Sequence, residues 1–157
     1  MTHMKLERVT GWSRVSHARS KIFRPTNAEE ARDALRLGDI LPRGGGMSFG
    51  DAALNDGRNL IKTSSFAQIG NISLDRETGV LCCSSGLTQK EIIALCVRQG
   101  WTLPAIPGAE NITIGGSIAA DGHGKNHYLR GSISRHLISL EIMVASGDLM
   151  EVSREKT

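Results

Sequence analysis

Two stretches of this chain carry residues whose types and spacing can do chemistry. The first is LPRGGGMSFGD, residues 41 to 51, in which three glycines follow Arg43. The second is PGAENITIGGSIAADGHGKNH, residues 107 to 127, which ends on His123, Lys125 and His127. Glycine-rich turns expose main-chain N–H groups that cradle an anion with no side chain in the way. A lysine in the same neighbourhood can contact a phosphate or polarise a hydroxyl. Two such loops, if they converge, can clasp a long pyrophosphate ligand from both sides.

The commoner chemistries for these residues fail on spacing. A dinucleotide fingerprint starting at Gly44 needs glycine where Phe49 stands, and GHGKN lacks both the wider P-loop spacing and its Ser/Thr. His123 and His127 have a zinc-like interval, but no third ligand accompanies them and Gly122 and Gly124 disfavour a helix. No metal site is therefore expected, and the rings are assigned to hydrogen bonds with a ligand or the backbone. No nucleophile elbow is present for serine hydrolysis. Read alone, the first loop is equally a tight turn and Lys125 equally a solvated cation.

These loops need a scaffold, and 157 residues with 39% hydrophobic content suffice for one domain or two tightly joined subdomains. The 18 glycines put part of the function in backbone. A net charge of +3, with Lys and Arg scattered along the chain and no aromatics interleaved, argues against nucleic acid. Cys82, Cys83 and Cys96 are odd in number, which fits a reducing, cytoplasmic setting better than a disulfide framework. Neither a membrane span nor a signal peptide is evident, so a soluble chain is expected, with peripheral membrane contact left open.

Local signals place the elements. A short strand ends at Pro25, and a helix follows from Asn27 to Leu37, with Asn27 and Glu30 in capping-box spacing and Gly38 closing it. DILPRGGG then gives a strand into the first loop, making a β-α-β start. NLIKTS reads as a strand and residues 69 to 84 as a hairpin. Thr88 and Glu91 open a second helix that presents Ile92, Leu95 and Cys96 on one face and ends at Gly100. Regular structure is patchy through the second loop, and the chain ends in a hairpin around SGD. The fold class is α+β.

Together PRGGGMSFGD, PGAENITIGGSIAADGHGKNH and the opening GWSR resemble the FAD-binding region of the vanillyl-alcohol-oxidase-type flavoproteins, from about residue 11 to about residue 151. That resemblance implies a two-subdomain FAD-binding fold of the PCMH type, incomplete at its C-terminus, over residues 11–157. The first subdomain would cover about 11–85 and the second about 86–157, with the substrate domain absent. FAD would be wrapped by Pro42, Arg43, Gly44, Gly45, Gly46, Met47, Ser48, Phe49, Gly50 and Asp51 on one side. Pro107, Gly108, Thr113, Ile114, Gly115, Gly116 and Ala119 would line the other, with His123 near the isoalloxazine. Lys125 would contact the substrate, as the catalytic candidate. Several relatives attach FAD through a histidine where Met47 stands here, so non-covalent FAD is expected. Phe49 and Ala120 depart from what the resemblance implies, which is tyrosine and cysteine at those positions.

The implied activity is oxidation of a sugar's secondary alcohol by hydride transfer to flavin, a polyprenyl-phosphoryl ribose 2'-hydroxyl being one such substrate. A partner reductase would complete an epimerisation, and the isolated chain would be inactive. The alternative is a non-catalytic module that binds a nucleotide or a partner.

Overall fold

The computed structural model describes residues 4–68 and 72–155. Four strands, β1 (Lys5–Thr10), β2 (His17–Phe23), β3 (Ile40–Arg43) and β4 (Asn59–Lys62), form a sheet in the order β1-β2-β4-β3. β1 and β2 make an antiparallel hairpin, and β2, β4 and β3 run parallel. The expected β-α-β unit is present, with β4 inserted between its two strands. β1 escaped the sequence reading because Leu6 and Val9 do not alternate in MKLERVT; pairing with β2 makes it a strand.

The first helix, α1 (Ala28–Leu35), is shorter than expected at both ends. Asn27 caps it by accepting from the Glu30 N–H at 2.8 Å, but the capping box is displaced. The Glu30 carboxylate takes the N–H and hydroxyl of Thr26 at 2.7 and 3.0 Å rather than the N–H of Asn27. Gly38 ends the element at φ 65°. Ala31 and Ala34 bury against Phe23 and Ile61, and Ile40, Phe66 and Met143 complete this cluster.

The hairpin expected over residues 69 to 84 is reduced to two residues a side, β5 (Ser73–Leu74) and β6 (Leu81–Cys82), and residues 69–71 lie outside the described residues. Residues 63 and 64, expected at the end of the NLIKTS strand, belong to a 3-10 turn, Thr63–Gln68. The second helix, α2 (Gln89–Val97), carries the reciprocal box: Thr88 Oγ1 accepts from the Glu91 N–H, and the Glu91 carboxylate accepts from the Thr88 N–H at 2.8 Å. Ile92 and Cys96 bury with Ala105, Ile114 and Ile133, while Leu95 packs at the margin of this second core.

Two short helices, α3 (Ile114–Ala119) and α4 (His127–Arg130), and a 3-10 turn, Ile133–His136, punctuate the long glycine-rich segment. Gln89 ties α2 to α3 by donating from Nε2 to Ser117 Oγ at 3.2 Å. The chain then forms the expected hairpin, β7 (Ser139–Met143) with β8 (Leu149–Ser153). Its turn is latched to α1, where Arg32 Nε donates to the Gly147 carbonyl at 2.9 Å. All three cysteines are free: Cys82 is exposed, Cys96 is buried, and burial pushes the Cys83 thiol up to about 11.

Removing the α2 cap with Thr88→Ala is expected to lower stability by about 1 kcal/mol, read as a shift of the thermal midpoint. The hydroxyl and N–H of Thr88 hold Glu91 below the ordinary carboxylate value of 4.5. Its contribution is therefore full above that value and lost as pH falls through the lower folded value. The midpoint difference between wild type and Glu91→Gln should accordingly shrink on acidification; a constant difference would count against this bond.

Candidate functional site

The first loop leaves β3 at Arg43 and lies against the start of α3. A Cβ on Gly44 would collide with Thr113 Oγ1, and one on Gly45 with the Asn111 carbonyl. The absent side chains at these two positions thus make room for the protein itself rather than for a ligand. This contact brings the two glycine-rich stretches together, as the clasp reading requires.

Gly46 is buried at φ 71°, and a Cβ there would overlap the Arg43 guanidinium. That guanidinium donates from Nη1 to the Ala53 carbonyl and from Nη2 to the Thr10 carbonyl, both at 2.8 Å. Burial pushes its pKa down from the ordinary value. Arg43 therefore braces the loop from behind, across the end of β1 and the segment after Asp51. These two internal bonds engage two of its five N–H donors.

On its other flank the loop meets the turn between β1 and β2. The Trp12 N–H donates to the Ser48 carbonyl at 3.1 Å, and a Cβ on Gly11 would strike the Gly50 carbonyl. The Trp12 and Phe49 rings meet edge to face at 5.7 Å, with Phe49 81% exposed. Trp12 is a site residue that the residue-by-residue reading did not single out, although GWSR was part of the motif set. Pinned on both flanks, the main-chain N–H groups of residues 45 to 50 have no acceptor among the described residues. Such a row of unclaimed donors suits the oxygens of a phosphate or pyrophosphate. Ser48 and Asp51 are exposed beside it, Met47 is half-buried, and Pro42 lies exposed on β3.

The start of α3 is arranged differently. Thr113 is buried and caps the helix, accepting from the Gly116 N–H at 3.2 Å. The N–H of Ile114 goes to Leu87, and that of Gly115 to Ser85. Ile114 itself is buried in the second core. These bonds engage the main-chain N–H groups of Ile114, Gly115 and Gly116 and fix the start of α3. Gly108, with nothing within 4 Å of a built Cβ, and Ala119, exposed on α3, are the open positions on this side. Pro107 is half-buried, its Cγ facing Gly122.

Beyond α3 the HGKNH stretch is held by its backbone. His123 bridges to Ser132, the Ile133 N–H donates to the Gly122 carbonyl at 2.9 Å, and Asn126 Nδ2 donates to the Pro104 carbonyl at 3.1 Å. The His123 and His127 rings lie 5.0 Å apart, and His123 Nδ1 is 3.4 Å from the Gly124 carbonyl. No group of three metal-ligating side chains occurs among the described residues. Lys125 is exposed and has no hydrogen-bond or ionic partner among them. No hydrogen bond, ion pair or ring contact joins His123 or Lys125 to residues 42–51.

Gly45→Ala is expected to cost about 1–3 kcal/mol by overpacking against Asn111. Gly108→Ala should change stability by less than about 0.5 kcal/mol, since its site is open. Equal melting shifts for the two variants would contradict the docked arrangement.

A family model described as an FAD binding domain matches residues 20–153. Decaprenylphosphoryl-beta-D-ribose oxidase of Mycolicibacterium smegmatis is 28% identical over 153 residues, which cover 94% of this chain and 33% of that protein. D-lactate dehydrogenase of Archaeoglobus fulgidus is 26% identical over 136 residues, or 83% of this chain and 30% of the relative. Among solved structures, 6-hydroxy-D-nicotine oxidase from Arthrobacter nicotinovorans superposes with a TM-score of 0.81 at 16% identity, over 98% of this chain and 37% of its own. The chain thus spans about a third of the length of the relatives it matches. No helix among the described residues is long and apolar enough to cross a membrane. With its donor-rich loop docked on α3 and residues 20–153 matched, the chain belongs to the FAD-binding-domain family of the vanillyl-alcohol-oxidase type, with the PCMH-type fold and FAD as its cofactor.

Proposed function

We propose that this chain holds FAD, without a covalent bond, for an oxidoreductase that acts on a secondary alcohol of a sugar. A polyprenyl-phosphoryl ribose is the substrate class, supported by the relative named for decaprenylphosphoryl-beta-D-ribose. The observation that carries the reading is the row of main-chain N–H groups from 45 to 50 that no acceptor of the described chain takes up. Backbone donors held by docking offer several hydrogen bonds to a pyrophosphate without the entropy cost of ordering side chains.

In this reading residues 44 to 50 hold the pyrophosphate, and Pro107, Gly108 and Ala119 border the ligand on the α3 side. Bound there, FAD supplies hydride acceptance from a CH–OH carbon. The protein's part is to bind, orient and exclude water. Lys125, an unpartnered ammonium on a loop pinned by Asn126, would hold the substrate's hydroxyl or phosphate oxygen. His123, whose Nδ1 is 3.4 Å from the Gly124 carbonyl, would lie near the isoalloxazine with its other ring nitrogen available to the ligand. Met47 has a thioether where covalent relatives have a histidine, which supports a releasable cofactor. The subdomains would meet near residue 85, the chain alone would turn over no substrate, and its three free thiols support a cytoplasmic setting.

A 2-hydroxy acid is the second reading, favoured by the D-lactate dehydrogenase relative. The two are separated by the donor that bleaches the flavin when the chain is supplied within a family-length protein.

The direct test is to refold the chain with FAD and record its visible absorbance, then precipitate it with acid. Flavin absorbance that follows the protein on gel filtration and passes wholly into the acid supernatant is expected. Flavin retained on the precipitate would overturn the non-covalent assignment, and no uptake at all would overturn the cofactor-holding role of this chain. Arg43→Met should weaken uptake about tenfold or more, because each lost charge-assisted bond contributes roughly 1.5–3 kcal/mol to the loop's geometry.

A further inference from the structure

We infer that the open face of the β1–β2 ribbon is a docking surface for an anionic phospholipid bilayer. The register puts Arg8 directly opposite Arg19, Leu6 opposite Lys21, and Thr10 opposite His17. Strand side chains alternate, so these six share one face. The ribbon's other face buries Ala18, Ser20 and Ile22. This face is left bare: Arg8, Arg19, Lys21 and His17 are exposed, and Leu6 is 57% exposed.

Like charges directly opposite each other on a sheet are destabilising. The cost is not offset within the described protein, because none of Arg8, Arg19 and Lys21 has a carboxylate partner among the described residues. Two nearby acids are committed elsewhere, and a third, Asp51, lies beside Val15 and His17 at the ribbon's far end from Lys21. Glu7 pairs with Arg24 at 2.8 Å, and Asp56 accepts from the main-chain N–H of Arg19, not from its guanidinium. Residues 5 to 23 carry Lys5, Arg8, Arg14, Arg19 and Lys21 against the single acid Glu7, so the chain's small positive excess is gathered here.

The apolar side chains select the partner. Leu6 lies among the cations, Met4 precedes β1 at 51% exposure, and Val15 at the ribbon's tip is 79% exposed. Aliphatic groups beside unpaired cations match the boundary between lipid headgroups and acyl chains. A nucleic acid offers such side chains no counterpart on its backbone, and among the six residues of the face His17 alone carries a ring on which a base would stack, with no Phe, Tyr or Trp beside it.

Co-sedimentation with vesicles tests this on the chain itself. Phosphatidylglycerol-containing vesicles should retain it in a salt-sensitive manner, and pure phosphatidylcholine vesicles should not. Arg8→Gln/Arg19→Gln should bind about 25-fold more weakly, at roughly fivefold per cation near an anionic surface. Its melting temperature should hold or rise as the repulsion is relieved, which excludes misfolding as the cause. Arg76→Gln/Arg98→Gln, the same charge change elsewhere, should bind as wild type. Equal binding to both lipids, undiminished binding by the ribbon variant, no vesicle binding by wild type, or preference for duplex DNA at matched phosphate would each overturn the inference. None of these outcomes bears on flavin uptake, so the two readings fail separately.

Discussion

The backbone of Gly44 and Gly45 lies so close to Thr113 and Asn111 that a methyl group on either glycine would overlap them. That approach joins the mixed sheet of β1 to β4 to a region of short helices and long connections that has little sheet of its own. The α3 start satisfies its own N–H groups through Thr113, Ser85 and Leu87 and serves as a fixed bed. The first loop, lying on it, keeps its own N–H groups unspent. One partner supplies rigidity and the other supplies donors, and neither arrangement is possible with a Cβ at the junction.

Arg43 makes the second half of this arrangement. A half-buried guanidinium normally finds a carboxylate, since an unpaired desolvated charge is costly. Here it meets only the Thr10 and Ala53 carbonyls. These bonds knit β1, the first loop and the segment after Asp51 into one body. They also leave a net positive charge behind Gly46 and its unspent N–H groups. The electrostatic character of the site is thus set from inside the fold, by a cation that need not touch a ligand.

Signals confined to a few residues were readable in the sequence. Asn27 and Thr88 announced their helices, Gly38 and Gly100 their ends, and SGD the terminal hairpin, because caps and turns are short-range chemistry. The pairing of the two glycine-rich stretches and the cofactor class were also legible from the motifs. What was illegible depended on distant neighbours. Glycine at 44 and 45 signals that a side chain is excluded but not what excludes it, and the excluding atoms belong to residues far along the chain. The internal bonds of Arg43 were illegible because the carbonyls that it meets are elsewhere in sequence. β1 has no pattern of its own, so the cations that seemed scattered came together only through its register with β2.

The latch between Arg32 and Gly147 gives the molecule a particular assembly order. Gly147 is buried over the Arg32 side chain, and Met143 of the same hairpin packs into the cluster beneath α1. A helix near residue 30 is therefore finished by a turn that lies 115 residues further along the chain. During synthesis the sheet and α1 emerge early but keep an unfilled flank until β7 and β8 leave the ribosome. Contacts of such long sequence separation close late and slowly. For that interval α1 and its underlying cluster are exposed to other chains, and the β7–β8 hairpin covers that flank once it docks.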